Sequence, residues 1–216
     1  EMMAELVEDL VCRVAERVSG GLQIEHKDGE GNVTRVINLQ RPWRRARYRD
    51  LVEEAEPGWY ARDVSGRRNR AVELGLDISH CVEDYEVTQH VFEKLVEEKT
   101  IDPCFVTHCP KELIPLAKTN PGDPAVLDVF ELVMNGQEIA PGYSELNDPV
   151  VQRERLVEQS GGEQHKIDEE FLHALEYGMP PAGGMGMGID RLIMLLTGAD
   201  SIREVILFPH LKPRAD

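Results

Sequence analysis

An α+β fold, an antiparallel sheet flanked by helices, follows from three features of the sequence. Asn135-Gly136 stands between two apolar runs, glycine alternates with methionine or isoleucine from Gly184 to Ile189, and helical periodicity both opens the chain and follows that alternating stretch. Asn-Gly between apolar runs is the strongest short hairpin signal. Alternation of period two indicates a strand, and recurrence at three and four residues indicates a helix.

Met2, Met3, Leu6, Leu10, Val14 and Val18 recur at helical spacing, so an amphipathic helix is expected from Met2 to Val18, ended by Ser19-Gly20-Gly21. Short strands follow at Leu22–Glu25 and Val33–Leu39, joined by an Asp28–Asn32 turn. Charged helices are predicted from about Arg44 to Glu56 and from Val82 to Glu98, with Pro57-Gly58 breaking the pattern between them. Residues 40–100 are therefore read as a peripheral helical lobe. Cys104–Thr107 reads as a strand, and Asp128–Ile139 as two strands around the Asn-Gly turn. Helices are expected at Pro149–Gln159 and Asp168–Tyr177, then a glycine strand at Gly183–Ile189 and a helix at Asp190–Leu196.

The 216 residues carry a formal charge of −16. That tells against a surface that grips nucleic acid by itself, because Lys and Arg supply most non-specific affinity for phosphate. The basic runs Arg41, Arg44, Arg45, Arg47, Arg49 and Arg67, Arg68, Arg70 are read as solvated faces. The cysteines Cys12, Cys81, Cys104 and Cys109 form no CxxC pair, which fits a reducing, cytoplasmic setting. Cys104, His108 and Cys109 lack a clear fourth zinc ligand, with only the scattered His80 and Cys81 on offer. No apolar run approaches the roughly 20 residues of a membrane helix, and no signal-like segment opens the chain.

A two-residue Asn135-Gly136 loop sets Met134 opposite Gln137, Val133 opposite Glu138 and Glu131 opposite Ala140. Alternation then puts Glu131, Val133, Glu138 and Ala140 on one face and Leu132, Met134 and Ile139 on the other. Carboxylates held together without a basic partner repel, and Mg²⁺, held by one or two of them plus substrate phosphates, relieves that repulsion. The alternative is that both acids simply face water. Beyond the hairpin, Tyr143 and Glu145 suit an ammonium substrate, the acid as counter-charge and the ring as a wall. Asn147 or Asp148 is placed to cap a helix beginning at Pro149.

On a strand, Gly184, Gly186 and Gly188 share one face, with Met185, Met187 and Ile189 opposite. A bare glycine face admits a flat ring such as adenine, or else close packing of another element. Arg191, at the start of the next helix, can meet phosphate oxygens in bidentate fashion.

Gly184-Met185-Gly186-Met187-Gly188-Ile189-Asp190-Arg191 resembles motif 3 of the class II aminoacyl-tRNA synthetases. The likeness continues through Leu192–Gly198 and Ser201–Pro209, a tail shared with aspartyl and asparaginyl members. Glu138–Asp148 and Phe105–Lys118 are similar to the lysyl enzymes in particular. The resemblance implies the carboxy-terminal portion of a class II synthetase catalytic domain over residues 1–216. It implies activation of lysine by ATP to lysyl-adenylate and transfer to tRNA(Lys), in a cytoplasmic homodimer. It assigns Glu131 and Glu138 to Mg²⁺, Tyr143 and Glu145 to the lysine side chain, Gly184, Gly186, Gly188 and Arg191 to ATP, and Arg191 to catalysis.

Pro141 departs from the family, where many members carry Asn, and proline offers neither a side-chain amide nor an N–H. Motifs 1 and 2 and the anticodon-binding barrel find no counterpart, so the chain is read as beginning just after motif 2, with weak activity in isolation. Two alternatives are a synthetase-like enzyme that lysylates an elongation factor and a non-catalytic lysine- or ATP-binding or dimerisation module. Gly186 opposes the first, since those relatives carry alanine there; the missing motif 2 favours the second.

Overall fold

The computed structural model describes residues 1–159 and 167–209. Helix α1 (Met2–Ser19) is followed by an antiparallel ribbon of β1 (Gln23–Lys27) and β2 (Val33–Asn38). Strand β3 (Arg44–Arg47) leads into helices α2 (Tyr48–Ala55), α3 (Val64–Glu73) and α4 (Asp84–Leu95), then a 3-10 turn at Glu97–Lys99. Strand β4 (Cys104–Thr107) precedes a small ribbon of β5 (Thr119–Asn120) and β6 (Asp123–Leu127), and the hairpin of β7 (Val129–Met134) and β8 (Gln137–Ser144). Helices α5 (Pro149–Gln159) and α6 (Glu169–Glu176), strand β9 (Gly183–Met185) and helix α7 (Ile189–Thr197) complete the described part. Among the described residues no helix is long and apolar enough to cross a membrane.

The central sheet has the order β3-β4-β7-β8-β9. Every pairing is antiparallel except β3–β4, which is parallel. That edge corrects the expected helix start at Arg44: Arg44–Arg47 is a strand, and the helix begins at Tyr48. Burial of the neighbouring Cys104-Phe105-Val106 supplies a ladder for the arginine run, whose side chains find partners on both sides. Helix α3, unresolved in the periodicity, is capped by the Asp63 carboxylate accepting from the Gly66 N–H at 2.7 Å.

Two cores lie on opposite faces of the sheet. One packs Tyr48, Trp59, Val91 and Phe92 of the helical segment against Cys104, Val106, Val129 and Val133. The other packs α1 and α7 against Phe105, Phe130, Leu132, Met134, Ile139 and Ala140. Phe105 is fully buried, and its removal from water contributes about 2–3 kcal/mol.

Helix α1 forms where periodicity places it, and Gly20 ends it with φ 80°. Its buried face, however, is Ala4, Val7, Val11, Cys12 and Ala15, while Met2, Leu6, Leu10 and Val18 are exposed. The helix is apolar on two sides, and its smaller side chains face the bulky sheet because they allow closer approach. Buried Glu8 ties α1 to the β3 edge, accepting from the Arg45 guanidinium at 3.2 Å and the Trp43 N–H at 3.3 Å.

The basic runs are engaged rather than merely solvated. Arg41 pairs with Asp9, Arg44 with Glu54, Arg67 with Asp84 and Arg70 with Glu56. Arg49 lies 4.5 Å from the centre of the Tyr60 ring. Cys12, Cys81, Cys104 and Cys109 are all free and buried. Cys104 and Cys109 belong to the core, and His108 turns to Thr107, its Nδ1 2.9 Å from the hydroxyl, so these three residues assemble no metal site.

Candidate active site

The Asn-Gly turn forms as expected, with Asn135 at φ 54° and Gly136 at φ 77°. Both residues therefore adopt the left-handed conformation that a two-residue hairpin loop requires. Met134 faces Gln137 and Val133 faces Glu138, matching the predicted register. A β-bulge then intervenes: Leu132 faces Ala140, and Glu131 faces Pro141 instead of Ala140. Ile139 and Ala140 both enter the core on the Leu132 side, so Ala140 leaves the face on which alternation had placed it.

This bulge decides what the site contains. Unbroken alternation from Glu138 would bring Ala140, Gly142 and Ser144 to its face. One extra residue reverses the phase, so that Pro141, Tyr143 and Glu145 follow on the face of Glu131. Backbone groups beside the bulge are met by residues from elsewhere. The Glu138 N–H donates to the Glu97 carboxylate at 3.3 Å, and the Glu138 carbonyl accepts from Arg191 at 2.7 Å. The Ile139 carbonyl accepts from the Gly188 N–H at 2.9 Å.

Glu131 is largely buried, and its carboxyl is pushed up to about 7, first by burial and then by the charges of Glu138 and Glu97. Glu97 is also raised, chiefly by burial, against the opposing hydrogen bond from Glu138 and the charge of Arg191. A hard divalent cation suits such carboxylates, since it offsets their mutual repulsion while leaving positions for phosphate oxygens. Glu131 and Glu138 could hold it, although their carboxylates and that of Glu97 are not drawn to a common point. Sequence reasoning missed Glu97, which stands at the end of a charged helix with no motif around it; only the folded contact with Glu138 reveals it.

Tyr143 and Glu145 lie beside β9, with Tyr143 paired to Gly184. The Glu145 N–H donates to the Ala182 carbonyl at 2.9 Å, and the Leu116–Lys118 segment runs along its other side through Lys118 to Ser144 and Leu146 to Leu116. The backbone around Glu145 is thus held from both edges. Burial raises the Glu145 carboxyl above its ordinary range, and among the described residues no side chain pairs with it. Burial and the Glu145 charge likewise raise the Tyr143 phenol. Asp148 caps α5 as expected, accepting from the Val150 N–H at 2.9 Å.

The glycine stretch is shorter as a strand than predicted, covering Gly183–Met185, yet Gly186 and Gly188 continue bonding to β8 through Pro141 and Ile139. Ile189 is exposed because it begins α7 instead of extending the strand. Met185 and Met187 do pack on the core. A Cβ on Gly184 would collide with the Glu145 carboxylate, one on Gly186 would meet Pro141 at 3.8 Å, and one on Gly188 would meet Arg191 at 3.3 Å. The glycine face, the lone acid and Arg191 are therefore contiguous. Arg191 is exposed, leaving its guanidinium available to an anion while one nitrogen holds the Glu138 carbonyl.

The structure thus brings together an acid, unpaired among the described residues, beside an aromatic ring, a glycine strip, an arginine at a helix start and a carboxylate group short of positive charge. The chain is 45% identical over 223 residues to a lysine–tRNA ligase of Syntrophomonas wolfei, an alignment covering 100% of this chain and 44% of that protein. It is 43% identical to one from Carboxydothermus hydrogenoformans, over 98% of this chain and 44% of the relative, and 40% identical to one from Bacillus cereus, over 98% and 43%. The chain therefore spans less than half the length of these curated relatives. The family model for tRNA synthetases class II (D, K and N) matches residues 1–212, and with the motif 3 residues seated against the acidic hairpin, the chain belongs to that family.

Proposed function

We propose that these residues form part of the catalytic domain of a lysine–tRNA ligase, which joins lysine to ATP and passes the lysyl group to tRNA(Lys). The observation that carries the reading is Glu145: a partly buried carboxylate without an ion-pair partner among the described residues, set beside Tyr143 and over Gly184. An ammonium group would complete it by a charge-assisted hydrogen bond, with the Tyr143 ring as a wall. The opposite end of lysine then points along the glycine strip.

The strip of Gly184, Gly186 and Gly188, most open at Gly186, is where adenine would lie, and Arg191 would donate to phosphate oxygens from the start of α7. Glu131 and Glu138 would hold Mg²⁺, which would neutralise charge on the phosphates. The lysine carboxylate attacks the α-phosphorus and pyrophosphate leaves, so no protein nucleophile is needed. The chain's own contribution is positioning and charge stabilisation. Residues 1–216 belong, on this reading, to the carboxy-terminal part of the catalytic domain of a cytoplasmic homodimer, with 40–100 as its helical lobe.

The test is lysine-dependent ATP–pyrophosphate exchange with these residues set in a complete catalytic domain. Glu145→Gln keeps the shape and removes the charge. Loss of exchange by about 100-fold or more is expected. Exchange equal to that of the parent would overturn the lysine assignment.

A further inference from the structure

Among the described residues, the group of histidine, cysteine and acidic side chains whose ligand atoms come together is His80, Cys81 and His90, all within 4.8 Å of one another. We propose that these three bind a borderline transition-metal ion of the zinc class, clipping the loop between α3 and α4 to α4. Imidazole nitrogen and thiolate sulfur are the ligands such an ion prefers, and three protein ligands leave a fourth position for water.

The loop is held in place from several sides. The Arg68 guanidinium donates to the Cys81 carbonyl from both terminal nitrogens at 3.1 Å and to the Val82 carbonyl at 2.6 Å. The N–H groups of Val82 and Glu83 donate to the Glu86 carboxylate at 2.6 and 2.8 Å. Cys81 is thereby buried beneath exposed His80 and half-buried His90, which leaves a route for an ion from solvent.

The two imidazoles meet edge to face with their Nε2 atoms 2.9 Å apart. His90 Nδ1 stands 3.5 Å from the Glu93 carboxylate. That acid accepts from Gln89 at 3.2 Å, and Gln89 in turn accepts from the buried Tyr48 hydroxyl at 3.0 Å. A carboxylate near Nδ1 favours the tautomer protonated there, which leaves the Nε2 lone pair facing His80, the arrangement that orients metal-bound histidines. Between the two nitrogens there must then be a proton from His80 or a cation. The adjacent Cys81 sulfur favours the cation, since a thiolate gives a metal a third ligand and a shared proton nothing. Coordination transfers the Cys81 thiol proton to solvent.

The experiment uses Co²⁺ as the probe on chelator-stripped, thiol-reduced protein, followed by thiolate-to-cobalt charge-transfer absorption and by displacement with Zn²⁺. A single saturable site with a thiolate band is expected, displaced by Zn²⁺. Cys81→Ser should abolish the band, although Cys12, Cys104 and Cys109 remain. His80→Ala and His90→Ala should weaken binding beyond the roughly 10–100-fold that loss of an outer contact causes. His80 is exposed, so its variant tests the site even if Cys81→Ser does not fold. No thiolate band in the parent, a band that survives Cys81→Ser, or unchanged affinity in His80→Ala would each overturn the proposal.

Discussion

The Glu145 carboxylate occupies the space into which a Cβ on Gly184 would project. The glycine is thus required by the acid across the strand pair, which links the glycine strip to the proposed ammonium site. Gly184→Ala should displace Glu145 while leaving the fold intact, because the obstructing atom is the end of a flexible side chain. In a complete catalytic domain, kcat/KM for lysine should fall by about 10–100-fold, on the order of 1.4–2.7 kcal/mol. KM for ATP should change much less. Equal losses for both substrates would instead mean that the glycine serves the nucleotide.

The hairpin tip makes a second expectation. Gly136 has φ 77°, and a Cβ there would meet the Glu98 carbonyl oxygen at 3.1 Å. Its N–H also donates to the Thr100 carbonyl at 2.8 Å, and the Asn135 N–H donates to the Ile101 carbonyl at 2.9 Å. Gly136→Ala should therefore destabilise the protein by about 1–2 kcal/mol through backbone strain and crowding. Urea unfolding should show a lower midpoint with an unchanged slope. An unchanged midpoint would show that the turn can relax without loss.

Glu56 provides a pH-dependent expectation remote from the site. Hydrogen bonds from Arg70, opposed by burial, hold its carboxyl below the ordinary value of 4.5. Arg70 Nε reaches it at 2.8 Å and Arg62 at 3.1 Å. A depressed carboxyl contributes stability above its unfolded pKa and loses it as the pH falls through the folded one. Glu56→Gln should therefore be less stable than the parent at neutral pH, by about 1–3 kcal/mol. The gap should close as the pH drops below about 4.5. A difference that stays constant with pH would assign the effect to packing alone.

Much of the architecture is legible because it rests on local chemistry. Helix α1 and its glycine stop, the Asn135-Gly136 turn, strand β4 and the Asp148 cap all follow from neighbouring residues. The β3 edge does not, since Arg44–Arg47 becomes a strand only through its partner Cys104–Thr107. Likewise, the exposed and buried faces of α1 are both apolar, and only the sheet beneath selects between them.

For the proposed site, the sequence by itself singled out the candidate residues: Glu131, Glu138, Tyr143, Glu145, the alternating glycines and Arg191. Tertiary structure decided how they share a face. Period-two alternation, applied without interruption, separates Glu138 from Tyr143 and Glu145. The bulge at Ile139 reunites them, and backbone groups of Glu138 and Ile139 bond to Glu97, Gly188 and Arg191, residues about 40 to 50 positions distant in sequence. A strand's phase is a local property, but the partners that stabilise a change of phase arrive only when the chain has folded.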